Sequence, residues 1–245
     1  MRLRLPLAAA ATAAAAALLP AAAGAAPASA GERASAVPSA PTPARAWIGR
    51  LVVRTVARAA PRGSARVVTR LDPHAELGPT HYLVTRSAVR NGARWLEVLL
   101  AVRPNGRRGW VPADFFQLST TAVRVTIDLS DRRLTVHRRN RVVMRAPVAV
   151  GRAGTPTPVG RRFAVAEQIR MDPRGFLGPV VLPLTGYSET LNEFAGGNGR
   201  VAIHGTSLPE LIGTRASHGC VRMYNRDIRR LARLARAGTP VEIRR

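Results

Sequence analysis

Apolar and polar positions alternate in short runs over most of the chain, and the period lengthens once, close to the C-terminus. Between residues 46 and 120, candidate strands are Leu51-Val52-Val53, Ala65-Arg66-Val67-Val68, Tyr82-Leu83-Val84, Trp95-Leu96-Glu97-Val98-Leu99 and Gly109-Trp110-Val111-Pro112. Pro61-Arg62-Gly63, Asn91-Gly92 and Pro104-Asn105-Gly106 separate them, and these residue types favour tight turns. Several short strands at this spacing predict a small β-barrel. A second β-rich stretch opens near Ala122. Residues 123–128 alternate as a half-buried strand, 133–138 return as its hairpin partner, and 142–150 form a third strand. Residues 154–160, with Pro156 and Pro158 between two glycines, predict a loop. Strand character resumes over 163–169, an extended Pro-bearing segment covers 176–184, and 187–199 predict a loop. Val201-Ala202-Ile203 is short, apolar and strand-like. The change of period comes at Ile228, Leu231, Ala232 and Ala235, which share one helical face with Leu234 at its border. Asn225 is the expected cap, Asp227 suits the first turn, and Gly238 ends the helix. Residues 240–243 are a last strand.

The N-terminus has another character. Met1-Arg2-Leu3-Arg4 is basic, an Ala/Leu-rich run follows from Leu7 to Leu19, and Pro20 breaks it. Ala23-Gly24-Ala25 and Ala28-Ser29-Ala30 both fit a small-residue cleavage site. These are the three regions of a secretory signal peptide, with an apolar core shorter than the ~20 residues that span a bilayer. Residues 1–30 are thus expected to be removed on export to the periplasm, cell wall or medium, leaving no transmembrane helix in the mature protein. Residues 31–45, rich in Pro, Ala and Ser without periodicity, predict a disordered linker.

Charge narrows the partners. The 245 residues carry 38 basic against 14 acidic side chains, a formal charge of +24, and every basic one is arginine. Such a surface favours anionic polymers. The arginines are spread along strands, loops and helix, and no nucleic-acid-reading pattern accompanies them, so a solvated basic surface is the expectation and specific nucleic-acid binding is not. Five histidines and one cysteine do not fall into metal-ligand spacing, so neither metal nor cofactor is expected.

The chemistry gathers in residues 204–225, HGTSLPELIGTRASHGCVRMYN, which hold the single cysteine. A lone cysteine in an exported chain forms no internal disulfide, and a thiol close to an imidazole can act as a nucleophile. His204, at the end of the 201–203 strand, is the expected base, because a rigid element should hold it. His218, two residues from Cys220, is placed to shape the site or orient its neighbours. The amides of Gly219 and Cys220 are oxyanion-hole candidates. Ser217 or Thr206 can orient an imidazole or touch substrate. Arg222 can hold a carboxylate through both arms of its guanidinium.

His204-Gly205-Thr206 and Ser217-His218-Gly219-Cys220-Val221-Arg222-Met223 resemble the active-site signature of the L,D-transpeptidase catalytic (YkuD) domain family. Residues 154–160, Leu177-Gly178-Pro179 and Ala202-Ile203-His204-Gly205 resemble further segments of it, so the likeness covers 122 to the C-terminus. Trp95-Leu96-Glu97-Val98 and Gly109-Trp110-Val111 are similar to the closing hairpin of bacterial SH3-like domains. The implied architecture is mainly β, an SH3-like barrel at 46–120 followed by a transpeptidase-type domain at 121–245 with one C-terminal helix. The N-terminal domain would bind wall material or brace its neighbour.

The resemblance implies that Cys220 attacks a carbonyl of a peptidoglycan stem peptide. D-alanine then leaves, and His204 serves as proton donor and acceptor. An amine of a second stem completes a 3→3 cross-link, and water gives hydrolysis instead. It also implies inhibition by carbapenems. The rival readings are another thiol acyl enzyme and a non-catalytic, Arg-rich wall-binding protein, whose binding would survive loss of Cys220 and collapse with salt.

Overall fold

A computed structural model describes residues 38–74, 80–193 and 196–245. The signal peptide and the start of the linker lie outside the described residues. From Pro38 to Arg45 the backbone has no regular hydrogen-bonded structure, and Ser87 Oγ donates to Pro38 O at 2.6 Å.

Seven strands come first: β1 (Ala46–Leu51), β2 (Thr55–Arg58), β3 (Val67–Leu71), β4 (His81–Arg90), β5 (Ala93–Leu99), β6 (Arg108–Pro112) and β7 (Phe116–Thr121). They form one sheet in the order β3-β2-β6-β5-β4-β1-β7, with β3 and β7 at its edges. Asn91 and Gly92 turn β4 into β5, both at positive φ as a two-residue hairpin requires. Trp47, Tyr82, Val84, Leu96, Val98, Val111 and Phe116 fill the core of this sheet. β1 lies earlier than the expected 51–53, leaving Val52 and Val53 exposed outside it, and β2 and β7 lie beyond the sequence expectation. β2 is only four residues long, and four of the six in β7 are exposed, so neither shows a buried stripe.

The next nine strands are β8 (Val123–Asp128), β9 (Arg133–Arg138), β10 (Arg141–Pro147), β11 (Gly160–Ala164), β12 (Ile169–Arg170), β13 (Val180–Tyr187), β14 (Arg200–His204), β15 (Val221–Arg222) and β16 (Pro240–Arg244). One helix, α1 (Asn225–Leu234), precedes β16. They make two sheets, β10-β9-β8-β16-β11 and β12-β13-β14-β15. One core serves both sheets and α1. It includes Ile127, Leu134, Phe163, Leu182, Ile203, Val221, Met223, Ile228 and Leu231. Burying each such side chain contributes about 2 kcal/mol.

The hairpin of β8 and β9 runs over the expected residues in unbroken register, from Val123↔Arg138 to Asp128↔Arg133. The 142–150 strand stops at Pro147, and 163–169 divides between β11 and β12. β13 runs on to Tyr187, buried at every position. The helix is shorter than expected, because Ala235 already has extended φ and ψ, leaving Gly238 in the turn before β16. Asn225 is its first residue rather than its cap. Tyr224 stands at the cap without a side-chain bond, since the Asn225 carboxamide is engaged elsewhere. Nor is the arginine face wholly solvated. Arg230 Nη2 donates to Val143 O at 2.9 Å and Arg236 Nη2 to Thr120 O at 3.0 Å.

Candidate active site

β14 and β15 pair in parallel, Ile203 with Val221 and His204 with Arg222. Successive strand residues face opposite sides. Ile203 and Val221 therefore enter the core together, both fully buried. His204 and Arg222 emerge on the other face, and Cys220, one step before Val221, emerges there too. This pairing is what joins two sequence segments sixteen residues apart into one site. It escaped the sequence reading because β15 is only two residues long.

His204 is 2% exposed, and its Nδ1 lies 2.6 Å from Gly205 O. A carbonyl can only accept, so the proton sits on Nδ1 and Nε2 is the basic nitrogen. Burial lowers the imidazole from its ordinary 6.5 to about 4. The Gly205 bond pulls it back and the Arg222 charge adds to the fall. The ring is thus neutral at pH 7. Cys220 is half-buried. Burial also dominates at its sulfur, raising the thiol above its ordinary range, against a backbone hydrogen bond from Ala202 and the charge of Arg222. The resting pair is a neutral thiol and a neutral imidazole.

Arg222 is 6% exposed, its Nε has no hydrogen-bond partner among the described residues, and its guanidinium lies 4.9 Å from the centre of the Phe176 ring. A cation so desolvated, beside a thiol and an imidazole, can receive an anion.

The other expected site residues have structural partners. Ser217 Oγ donates to Cys220 O and accepts from the Gly219 amide at 3.1 Å. The Gly219 N–H expected in the oxyanion hole is therefore already bound. Gly219 is needed for its φ of +119° instead, because a Cβ there would meet nothing nearer than Pro156 O at 3.7 Å. Thr206 Oγ1 accepts from the Leu208 amide at 3.0 Å. Neither hydroxyl orients His204, since the Gly205 carbonyl holds the ring. His218 Nε2 lies 2.8 Å from Arg152 Nη2, and its pKa is lowered by desolvation first and then by Arg152 and Arg222.

Three supports were not legible as such. Thr157 Oγ1 accepts from the Gly151 amide, and Thr155 Oγ1 donates to Ser217 O, so residues 154–160 buttress the cysteine turn. Asn225 Oδ1 accepts from the Thr206 amide at 2.9 Å and fixes the chain just past His204. Gly178, at φ +62°, lies beneath that contact. A Cβ there would press on Asn225 Oδ1 and come within 2.7 Å of Thr206 N. Gly178→Ala is expected to cost at least about 2 kcal/mol through the left-handed backbone and the overlap, read as a lowered midpoint in urea unfolding.

The profile of the L,D-transpeptidase catalytic domain (YkuD) matches residues 122–243. An L,D-transpeptidase YkuD homologue of Bacillus licheniformis is 36% identical over 124 residues, 51% of this chain and 67% of that protein. Its Bacillus subtilis counterpart is 32% identical over 126 residues, covering 51% and 68%. Among solved structures, L,D-transpeptidase 3 from Mycobacterium tuberculosis aligns at 19% identity with a TM-score of 0.42, over 56% of this chain and 74% of that one. That structural likeness adds no weight to the sequence matches. On those sequence matches, the chain belongs to the L,D-transpeptidase catalytic domain (YkuD) family and is an L,D-transpeptidase.

Proposed function

We propose that the protein is exported and acts on peptidoglycan stem peptides through a thioester at Cys220. The observation that carries this reading is the shared face of β14 and β15, which presents one thiol, one buried neutral imidazole and one desolvated guanidinium. Cys220 Sγ attacks the carbonyl of the third stem residue, and the thiol proton passes to Nε2 of His204. The C–N bond then breaks, the proton goes to the departing amine, and D-alanine leaves. An amine of a neighbouring stem attacks the thioester and restores the thiol, forming the cross-link. Water in that role gives hydrolysis.

The two pKa directions bear on timing. An imidazole with a pKa near 4 does not take the proton of a thiol raised above its usual range before substrate arrives. Proton transfer therefore accompanies attack, when charge builds on the carbonyl oxygen. With the Gly219 amide bound to Ser217, the Cys220 amide is the oxyanion donor in this reading. One such donor contributes about 3 kcal/mol to the transition state. Arg222 takes a stem carboxylate. The basic surface suits an acidic wall polymer, and no helix among the described residues is long and apolar enough to cross a membrane.

The test is incubation of the mature protein with tetrapeptide-bearing muropeptides, read by mass spectrometry. Release of D-alanine or formation of dimers is the expected result, and the absence of both would overturn the assignment. The same thiol should take up a carbapenem as a covalent adduct.

A further inference from the structure

β14 is held in a divided way. Its C-terminal half pairs regularly with β13, at Val181↔His204, Leu182↔Ile203 and Pro183↔Ala202. The register then shifts before Tyr187↔Arg200. Over the intervening residues β13 turns to other partners: Pro183 O accepts from Ala166 N, and Thr185 Oγ1 from Ala164 N. The N-terminal end of β14 thus depends on the pair formed by Tyr187 and Arg200 and on the Ser188 N–H donating to Gly199 O at 2.8 Å.

That end is gripped from the N-terminal sheet. Asn105, in the loop between β5 and β6, donates from Nδ2 to Tyr187 O and accepts from Tyr187 N through Oδ1, both at 2.8 Å. Its carboxamide thereby occupies the place of a neighbouring strand. Arg103 Nη1 donates to Ser188 O at 2.6 Å, and its Nη2 to Leu191 O at 3.0 Å and Asn198 O at 3.3 Å. The same guanidinium lies 4.8 Å from the centre of the Tyr187 ring, and the Tyr187 hydroxyl donates to Ala101 O at 2.8 Å. Bonds from a charged donor to several carbonyls are among the stronger ones a surface loop can make. Three and four residues beyond Arg200 stand Ile203 and His204, which pair with Val221 and Arg222 and so fix the strand that carries the cysteine turn.

We propose that Asn105 and Arg103 are positioning residues for the nucleophile. They hold Tyr187 and Ser188, and through these the start of β14, in the register that sets Ile203 against Val221 and His204 against Arg222, the two residues that follow Cys220. The seven-stranded sheet is on this account part of the catalytic apparatus rather than a spacer. Only the turnover arm of the test below rests on the transpeptidase reading.

The full mature chain is compared with Asn105→Ala and Arg103→Ala. Because Cys220 is the single thiol, its alkylation by iodoacetamide reports the sulfur's surroundings without any substrate. Both variants are expected to shift the pH profile of alkylation upward and to slow it about tenfold at fixed pH. They are also expected to lower kcat about tenfold with KM little changed, as a misplaced reacting group does. Val111→Ala supplies the control, since it weakens the same sheet in its core, away from the grip. It should melt earlier yet alkylate like wild type. If both variants keep the wild-type alkylation profile, or if Val111→Ala shifts it equally, the positioning role is overturned. Should Asn105→Ala not fold, Arg103→Ala decides alone. A shifted profile in a protein that never releases D-alanine would uphold the positioning role and sink the transpeptidase reading.

Discussion

Cys220→Ala is expected to abolish D-alanine release, cross-linking and carbapenem adduct formation while leaving the fold intact. Cys220 is a half-buried residue, and the packing at this point is done by its neighbour Val221, which is fully buried. Truncation removes one hydrogen-bond partner of the Ala202 backbone, a loss of about 1 kcal/mol. For a protein of this size that lowers the melting temperature by about 3 °C. The loss of chemistry is of another order, because the covalent route has no second nucleophile to fall back on. Intact mass after carbapenem incubation separates the outcomes. An adduct on the alanine variant would place the reactive group elsewhere and remove the basis of the mechanism.

His204→Gln should lower turnover by about 10²- to 10⁴-fold, the usual worth of a general acid–base. Glutamine fills much of the ring's space with no titrating nitrogen, so the variant tests the proton shuttle. The same substitution carries an acid-stability signature. Unfolded, the imidazole takes a proton near 6.5, but folded it does so only near 4. Between those values the unfolded chain binds the extra proton, so stability falls as pH drops from 6.5 toward 4. The full loss from this one group is about 3 kcal/mol. Melting curves from pH 7 to pH 4 should therefore be steeper for wild type than for His204→Gln. Equal slopes would mean that the ring is not buried neutral.

Much of the site was legible because it sits on residues whose chemistry is rare. One cysteine, a strand-end histidine and an arginine two residues past the sulfur stood out of the sequence, and the strand pairing brings all three to one face. What escaped is carried by atoms that every residue has. The orienting partner of His204 is a main-chain carbonyl, and the hydrogen bond to the sulfur comes from a main-chain amide. Side-chain patterns cannot announce either. The hydroxyls of Ser217 and Thr206 looked like triad members and instead brace turns, since short polar side chains bond nearby backbone readily. Asn225 looked like a helix cap and serves the neighbouring loop. In the fold, most strands with a buried stripe were legible, the β8–β9 hairpin to the residue, although β1 was expected at 51–53 and runs over 46–51. β2, β7 and β15 were not, being too short or too exposed to show one.

The resting sulfur is uncharged, and this bears on how it withstands oxidants. Oxidants attack thiolates far faster than thiols, and a thiol that reaches sulfinic acid is lost for good. An enzyme with a standing thiolate would be inactivated steadily by peroxide in an oxidising medium. In the proposed mechanism the thiolate forms only during a productive encounter, so the burial that keeps the Cys220 thiol protonated at rest also shields the chain's single sulfhydryl from oxidation.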